Sequence, residues 1–299
     1  VAKFNVHHWV RVFMKRLHQV KQRQLHLKTK SLKSETITAI KKSYDTSKQR
    51  LILLDYDGTL VSFQPDPLKA QPDEELLELL NYIYQDPRNK LVIISGRNKE
   101  TLDEWLGHLP IDIIAEHGAW VKRLNQGWEE AANLSNEWKV ELLPQLEEFE
   151  MRTPGSFIED KSYSLAWHYR KVDDSFGELR AQELIGNLKY AVASMGLHVL
   201  EGNKVVEIKN ANINKGRAAK EFLRTFPADF ILTIGDDFTD EDTFKAMPPQ
   251  AFTIKVGLGI SAATYSIPSV AAVRSLLFEI TDRQQSEDNI KILNNFREN

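Results

Sequence analysis

The sequence predicts an α/β fold: an open parallel sheet interrupted by an inserted α+β domain, with a helical extension in front. Three observations carry this. Aliphatic runs without polar interruption, such as LILLD at 51–55 and LVIIS at 91–95, alternate with helical patterns, as strands covered on both faces require. Between 119 and 207 amphipathic helices mix with alternating strands, a pattern that is α+β and not βαβ. After 213 the first pattern resumes.

Taken in order, residues 1–50 are strongly basic, and Trp9, Val12, Phe13 and Leu17 are spaced like one face of a helix. The Lys/Gln-rich stretch from 18 to 34 has little to bury, and a second helical run follows near 35–46. This segment reads as a solvated helical linker or docking arm. The core is expected over 51–118 and 208–299. There ELLELLNYIYQ (75–85) is a helix between the first two strands, and DIIAEHG (112–118) is a third, shorter strand. The insertion at 119–207 holds helices in WKVELLPQLEEFEM (138–151) and ELRAQELIGNLKYAVASM (178–195). Its strands are YSLAWHYR (163–170) and HVLEGNKVVEIK (198–209). Helix KGRAAKEFLRTF, strand DFILTIGDD, helix TDEDTFKAM and strand AFTIKVG complete the core.

Composition narrows the function. The chain has 299 residues, enough for a large core and more than one domain. A formal net charge of −3 argues against nucleic acid as a partner. No cysteine is present, which excludes disulfides, thiolate zinc sites and cysteine nucleophiles. No apolar run reaches the roughly 20 residues of a membrane span, and no signal peptide is visible, so no membrane partner and a soluble cytoplasmic protein are expected. The chain opens on Val, as a piece of a longer chain would.

The strand LILLD runs directly into Asp55 and, two positions on, Asp57. Residues i and i+2 of an extended segment point the same way, and two like charges that close raise each other's pKa unless a cation offsets them. A hard divalent ion such as Mg²⁺ suits carboxylates that also leave room for waters or phosphate oxygens. GDDFTDED at 235–242 follows another apolar strand and supplies Asp236, Asp237 and Asp240. One acidic strand end is as easily a turn or a helix N-cap. Two such ends, far apart in sequence, are hard to explain as surface wetting.

Two further loop ends suit a phosphate. SGR at 95–97 offers the Ser95 hydroxyl and the backbone N–H groups from Gly96 onward. NKG at 214–216 opens a helix with Lys215 where the macrodipole is already positive. His117 and His168 lack metal-ligand spacing and are read as structural or sugar-contacting. Trp105, Trp120, Trp128, Trp138 and Trp167 are read as core residues.

DYDGT, SGR, NKG and GDDFTDED, in that order, resemble the four motifs of haloacid dehalogenase-type phosphatases. The insertion between the second and third resembles a type-II cap on a Rossmann-like core. DYDGTL, AEHGAW, RTPGSFIEDKSYSLAWHYR, VEIKNANINKG and GDDFTDEDTF, spread over 51–278, are similar to segments of the trehalose-6-phosphate phosphatase family. The resemblance implies hydrolysis of trehalose 6-phosphate through an aspartyl-phosphate, with Asp55 as nucleophile and Asp57 as general acid/base. It implies Mg²⁺ as cofactor, held by Asp55, Asp57 and Asp236 and supported by Asp237 and Asp240. Ser95, Gly96, Arg170 and Lys215 would hold phosphate. Glu116, His117, Glu159, Lys161, His168, Glu207 and Asn214 would meet the sugar. Residues 1–20 resemble the final helix of a trehalose-6-phosphate synthase, which implies a fused or associated synthase domain as partner. Asn210-Ala-Asn-Ile-Asn departs from relatives that often carry a basic residue there. Left open are another sugar phosphate such as sucrose 6-phosphate, a phosphotransferase or mutase of the same fold, and a phosphatase-like module that regulates a synthase.

Overall fold

The computed structural model describes residues 29–64, 66–131 and 134–281. The helical face expected at Trp9–Leu17 lies outside them. Among the described residues no helix is long and apolar enough to cross a membrane.

Strands β1 (Lys30–Ser31), β2 (Arg50–Asp55), β3 (Asn89–Ile94) and β4 (Asp112–Ala115) belong to one nine-stranded sheet. So do β5 (Trp120–Lys122), β6 (Trp128–Glu130), β11 (Phe230–Gly235), β12 (Phe252–Val256) and β13 (Tyr265–Ile267). The order is β1-β13-β12-β11-β2-β3-β4-β5-β6. Pairing is parallel from β1 to β4, and β5 and β6 add an antiparallel edge. Every residue of β2 and β11 is buried, which is why apolar residues dominate both, without a break over Leu51–Leu54.

Helices cover both faces. Ile52 and Leu54 pack with Ile37 and Ile40 of α1 (Ser34–Thr46), Leu76, Leu80 and Ile83 of α2 (Glu74–Gln85), and Leu276 of α8 (Val270–Ile280). Leu102 and Trp105 of α3 (Lys99–Leu106) join the same cluster. Leu51 and Leu53 point the other way, onto Ala219 and Phe222 of α6 (Lys215–Thr225). Each such fully buried aliphatic side chain contributes about 1.5–3 kcal/mol, so β2 is anchored firmly enough to carry acidic residues at its end.

Between β6 and α6 the chain builds a second, antiparallel sheet of β7 (Phe157–Asp160), β8 (Ser164–His168), β9 (Leu197–Gly202) and β10 (Val205–Asn210), in the order β7-β8-β10-β9. Leu142 and Leu146 of α4 (Lys139–Met151) and Leu184 and Leu188 of α5 (Asp174–Ser194) pack on its Trp167, Val206 and Ile208. Trp167 is buried, while its neighbour His168 faces outward.

Three boundaries differ from the sequence reading. Trp120–Lys122 and Trp128–Glu130 extend the large sheet, so the insertion begins after β6 and not at 119. β10 pairs within the small sheet up to Asn210, so the return to the large sheet falls beyond 208. Within 1–50, the part from 30 onward is neither solvated nor a linker: β1 pairs with β13, and Ile37, Ile40 and Tyr44 are buried. The basic composition concealed this because the charged residues of α1 occupy its outer face.

Candidate active site

β2 is a topological switch point: β3 lies on one side and β11 on the other, both parallel to it. Ligands bind outside the carboxyl ends of strands at such a point, and Asp55 ends β2 there. Asp55 Oδ1 accepts a 2.6 Å hydrogen bond from Lys215 Nζ. Its Oδ2 is buried with no hydrogen-bond partner. Lys215 is the first residue of α6, and Asn214 caps that helix by accepting from the Arg217 N–H at 2.7 Å. Asn214 therefore positions Lys215; the structure gives it a capping bond rather than a place in the cleft wall.

The loop after β11 is cinched by its own acids. Lys215 Nζ donates to Asp240 Oδ1 at 2.8 Å, while Asp240 Oδ2 accepts from the N–H groups of Asp236 and Asp237 at 2.9 and 3.0 Å. Asp237 Oδ1 accepts from Thr239 N and Oγ1 and from Asp240 N at the start of α7 (Asp240–Ala246). Oxygens of Asp55, Asp236 and Asp240 come within 4.8 Å of one another. Gly58, at φ +76°, lets the β2 loop pass Asp236 so closely that a Cβ there would overlap its carboxylate.

This crowding has an electrostatic signature. Burial and the Asp240 charge push Asp55 well above the usual carboxylate range, with Lys215 opposing. Burial and the charges of Asp237 and Asp240 raise Asp236 to about 7. Burial and Asp237 raise Asp240 to about 6, against Lys215. Burial also works on Asp237, but the Lys215 charge and the Thr239 hydrogen bond outweigh it and hold that acid at about 2. Burial alone would lower Lys215, yet the Asp240 and Asp55 charges keep it well above its usual value. Lys215, together with Lys255 acting on Asp236, does not balance these four acids. Carboxylate oxygens with negative charge in excess, one of them buried and unpartnered, fit a hard divalent cation such as Mg²⁺. Both oxygens of Asp240 are already engaged, so Asp55 and Asp236 are the carboxylates that would hold such an ion, with Asp240 bracing the loop beside them.

Asp57 stands apart from that cluster. Its carboxylate accepts two hydrogen bonds from Arg97, 2.7 Å from Nε and 2.6 Å from Nη2. The side chain expected among the metal ligands is thus turned to an arginine instead. Ser95 is buried, and its Oγ accepts from the Arg97 N–H at 3.1 Å. Gly96 lies against His117, whose ring a Cβ at 96 would overlap.

The small sheet closes the other side. A cleft of about 940 Å³ separates the two sheets and is lined by Asp55, Asp57, Arg97 and Lys215 from one side and Glu159, His168, Arg170 and Glu207 from the other. Lys161 Nζ bridges them, donating to Gly96 O at 3.0 Å and Glu207 Oε1 at 3.3 Å. Glu207 Oε2 meets His117 Nε2 at 3.0 Å, and Glu159 Oε2 meets His168 Nε2 at 2.9 Å. Burial opposes ionisation of Glu207, but Lys161 and His117 hold it well below its usual value. Glu116 accepts from Ser162 Oγ and Tyr163 N, tying the large sheet to the β7–β8 turn from outside the cleft wall. Arg170 donates to Asn203 O and lies 5.6 Å from the Phe63 ring centroid.

Two residues escaped the sequence reading. Arg97 stands inside the quoted SGR, but its partner is 40 positions away and only the fold joins them. Phe157 stacks on His168, with centroids 4.6 Å apart, and lines the cleft. Its i, i+2 relation to Glu159 was a legible signal, since both share one strand face.

The trehalose-phosphatase family model matches residues 53–279. The bifunctional trehalose-6-phosphate synthase/phosphatase of Thermoproteus tenax is 40% identical over 245 residues, covering 82% of this chain and 34% of that protein. The trehalose-phosphatase of Saccharomyces cerevisiae is 37% identical over 230 residues, covering 69% of this chain and 25% of that protein. The chain thus spans about a third and a quarter of the length of these two relatives. Among solved structures, the C-terminal domain of the C. albicans trehalose-6-phosphate phosphatase superposes with a TM-score of 0.80 at 28% identity, covering 86% of this chain and 99% of that one. The Aspergillus fumigatus trehalose-6-phosphate phosphatase gives 0.62 at 34%, covering 85% and 99%. A haloacid dehalogenase-like hydrolase from Bacteroides thetaiotaomicron, 16% identical with a TM-score of 0.57, shares the fold. A family match across this much of the chain, on a Rossmann-like α/β fold carrying the motifs at its switch point, makes the protein a member of the trehalose-phosphatase family.

Proposed function

We propose that this chain hydrolyses trehalose 6-phosphate to trehalose and inorganic phosphate. The observation that carries the reading is Asp55 Oδ2: a buried carboxylate oxygen without a partner, on a side chain that lines the cleft. A buried polar atom left unpaired is costly, and such costs are tolerated where a ligand completes the site.

In the proposed reaction an Asp55 oxygen attacks phosphorus, the bond from phosphorus to the sugar oxygen breaks, and Asp57 gives that oxygen its proton. Asp57 then takes a proton from water as the water oxygen attacks phosphorus, and the bond to Asp55 breaks to release phosphate. Splitting one displacement into two is the gain from covalent catalysis. Lys215 stabilises charge on the outer phosphoryl oxygens and holds Asp55 in line. Mg²⁺ bound by Asp55 and Asp236 would neutralise further phosphoryl charge.

The small sheet acts as a cap that reads the sugar. Glu159, Lys161, His168 and Glu207 offer acceptors and donors on its cleft face, and a site that hydrogen-bonds hydroxyls rejects analogues lacking them. The cleft volume sits at the upper end of the roughly 300–1,000 Å³ usual for small-molecule sites, which suits a disaccharide phosphate. A synthase domain, fused or associated, is the partner that would supply the substrate.

The test is phosphate release from a panel of sugar phosphates, with Mg²⁺ and with excess chelator. The proposal expects trehalose 6-phosphate to be preferred and chelation to abolish turnover. Equal rates on sucrose 6-phosphate or glucose 6-phosphate, or full activity in chelator, would overturn it.

A further inference from the structure

We infer that Arg97 is a positioning residue for the acid/base step, setting the plane of the Asp57 carboxylate through a two-point grip referenced to the phosphate-side loop. The inference rests on the proposed role of Asp57.

Its basis is geometric. Nε and Nη2 of Arg97 donate to the two different oxygens of Asp57, at 2.7 and 2.6 Å, the fork-on-fork arrangement that only a guanidinium makes. Two parallel bonds stop the carboxylate from rotating about its Cβ–Cγ bond, as one bond could not. The outer lone pairs remain for a reacting group, and both residues line the cleft.

Arg97 is itself immobilised. Nη1 donates to Pro67 O at 2.9 Å, and the guanidinium lies over Trp105, 4.6 Å from the ring centroid. The backbone N–H donates to Ser95 Oγ, and the carbonyl accepts from Glu116 N at 2.9 Å. Each guanidinium nitrogen is therefore engaged, and the backbone is fastened to the loop that carries Ser95 and Gly96. Movement of that loop moves Asp57 with it. The acid/base and the proposed phosphate-holding loop are thereby kept in one frame, although they come from different strands.

The grip also explains how one carboxyl can serve two proton transfers. The proton passes first from Asp57 to the leaving sugar oxygen, and later from water to Asp57. Both transfers need an Asp57 oxygen at the same place relative to phosphorus, and misplacement by about 1 Å can cost on the order of 10²-fold in rate.

The experiment is a double-mutant cycle on the full chain: wild type, Arg97→Met, Asp57→Asn and the double variant. Phosphate release is measured on the sugar phosphate that wild type hydrolyses best, and thermal unfolding confirms that each protein is folded. Arg97→Met is expected to lower kcat by on the order of 10²-fold with KM changed by less than about 3-fold. In the Asp57→Asn background the same substitution should cost less than about 3-fold, because its only route to the chemistry has gone. Arg97→Lys, which keeps the charge but not the fork, should fail as Arg97→Met does. Equal losses in both backgrounds would overturn the inference, since Arg97 would then act on substrate or on folding. A rise in KM without loss of kcat, or full rescue by Arg97→Lys, would overturn it as well. Wild type that ignores trehalose 6-phosphate but hydrolyses another ester would count against the substrate reading alone and leave the cycle readable.

Discussion

His117 and Asp55 are both buried, and burial drives each toward its neutral form. Burial and the Lys209 charge lower the His117 imidazole to about 4, although Glu207 opposes them. The neutral ring fits its surroundings, with Nε2 against the Glu207 carboxylate and Nδ1 buried without a partner. The folded value lies below the unfolded value of about 6.5. The stability it confers is therefore complete above about pH 6.5 and is lost as pH falls toward 4. Full loss would be on the order of 3 kcal/mol. Ring NMR should place the His117 midpoint near 4, and Tm should decline between pH 6.5 and 4 less steeply in His117→Gln than in wild type. A midpoint near 6.5 with parallel Tm profiles would show that the ring is solvated.

At the scale of elements, the strands nearest the chemistry were the most legible. LILLD and LVIIS predicted β2 and β3 because burial on both faces makes Leu51–Leu54 and Leu91–Ile94 unbroken aliphatic runs. The motif order predicted where the acids would gather, and the structure brings Asp55, Asp236 and Asp240 together. Trp120–Lys122 fell inside the expected insertion and was not read as a strand, because three residues carry no usable period and its pairing with Ile113–Ala115 is tertiary information. Asp57 lines the same cleft as Asp55, with its carboxylate turned to Arg97. Its i+2 spacing from Asp55 assumes that the strand continues, but β2 ends at Asp55 and the chain turns through Gly58. That turn makes a second prediction. Gly58→Ala places a methyl group into the Asp236 carboxylate and a side chain at φ +76°, a conformation costing on the order of 1 kcal/mol or more. The fold should survive, while the rise in Tm on adding Mg²⁺ disappears. An undiminished Mg²⁺-dependent rise would mean that Asp236 is not a ligand.

For the whole molecule, the structure divides labour between two sheets. The large one gathers the groups proposed to act on phosphorus, and the small one presents Glu159, His168 and Glu207 across the cleft. Lys161 joins them through Gly96 O and Glu207, so its removal would disturb both sides; Glu159, which contacts only His168 and Lys161 by polar bonds among the described residues, separates them better. In the proposed reaction, binding energy from the remote sugar would orient the ester and exclude water. The most direct measurement is kcat/KM for wild type, Asp55→Asn and Glu159→Ala on two substrates, trehalose 6-phosphate and p-nitrophenyl phosphate. Asp55→Asn should abolish both activities. Glu159→Ala should lower the first by about 10-fold or more, the worth of one charged hydrogen bond, and leave the second within about 2-fold. Turnover by Asp55→Asn, or a Glu159→Ala loss that is equal on both substrates, would contradict the division of labour between the sheets.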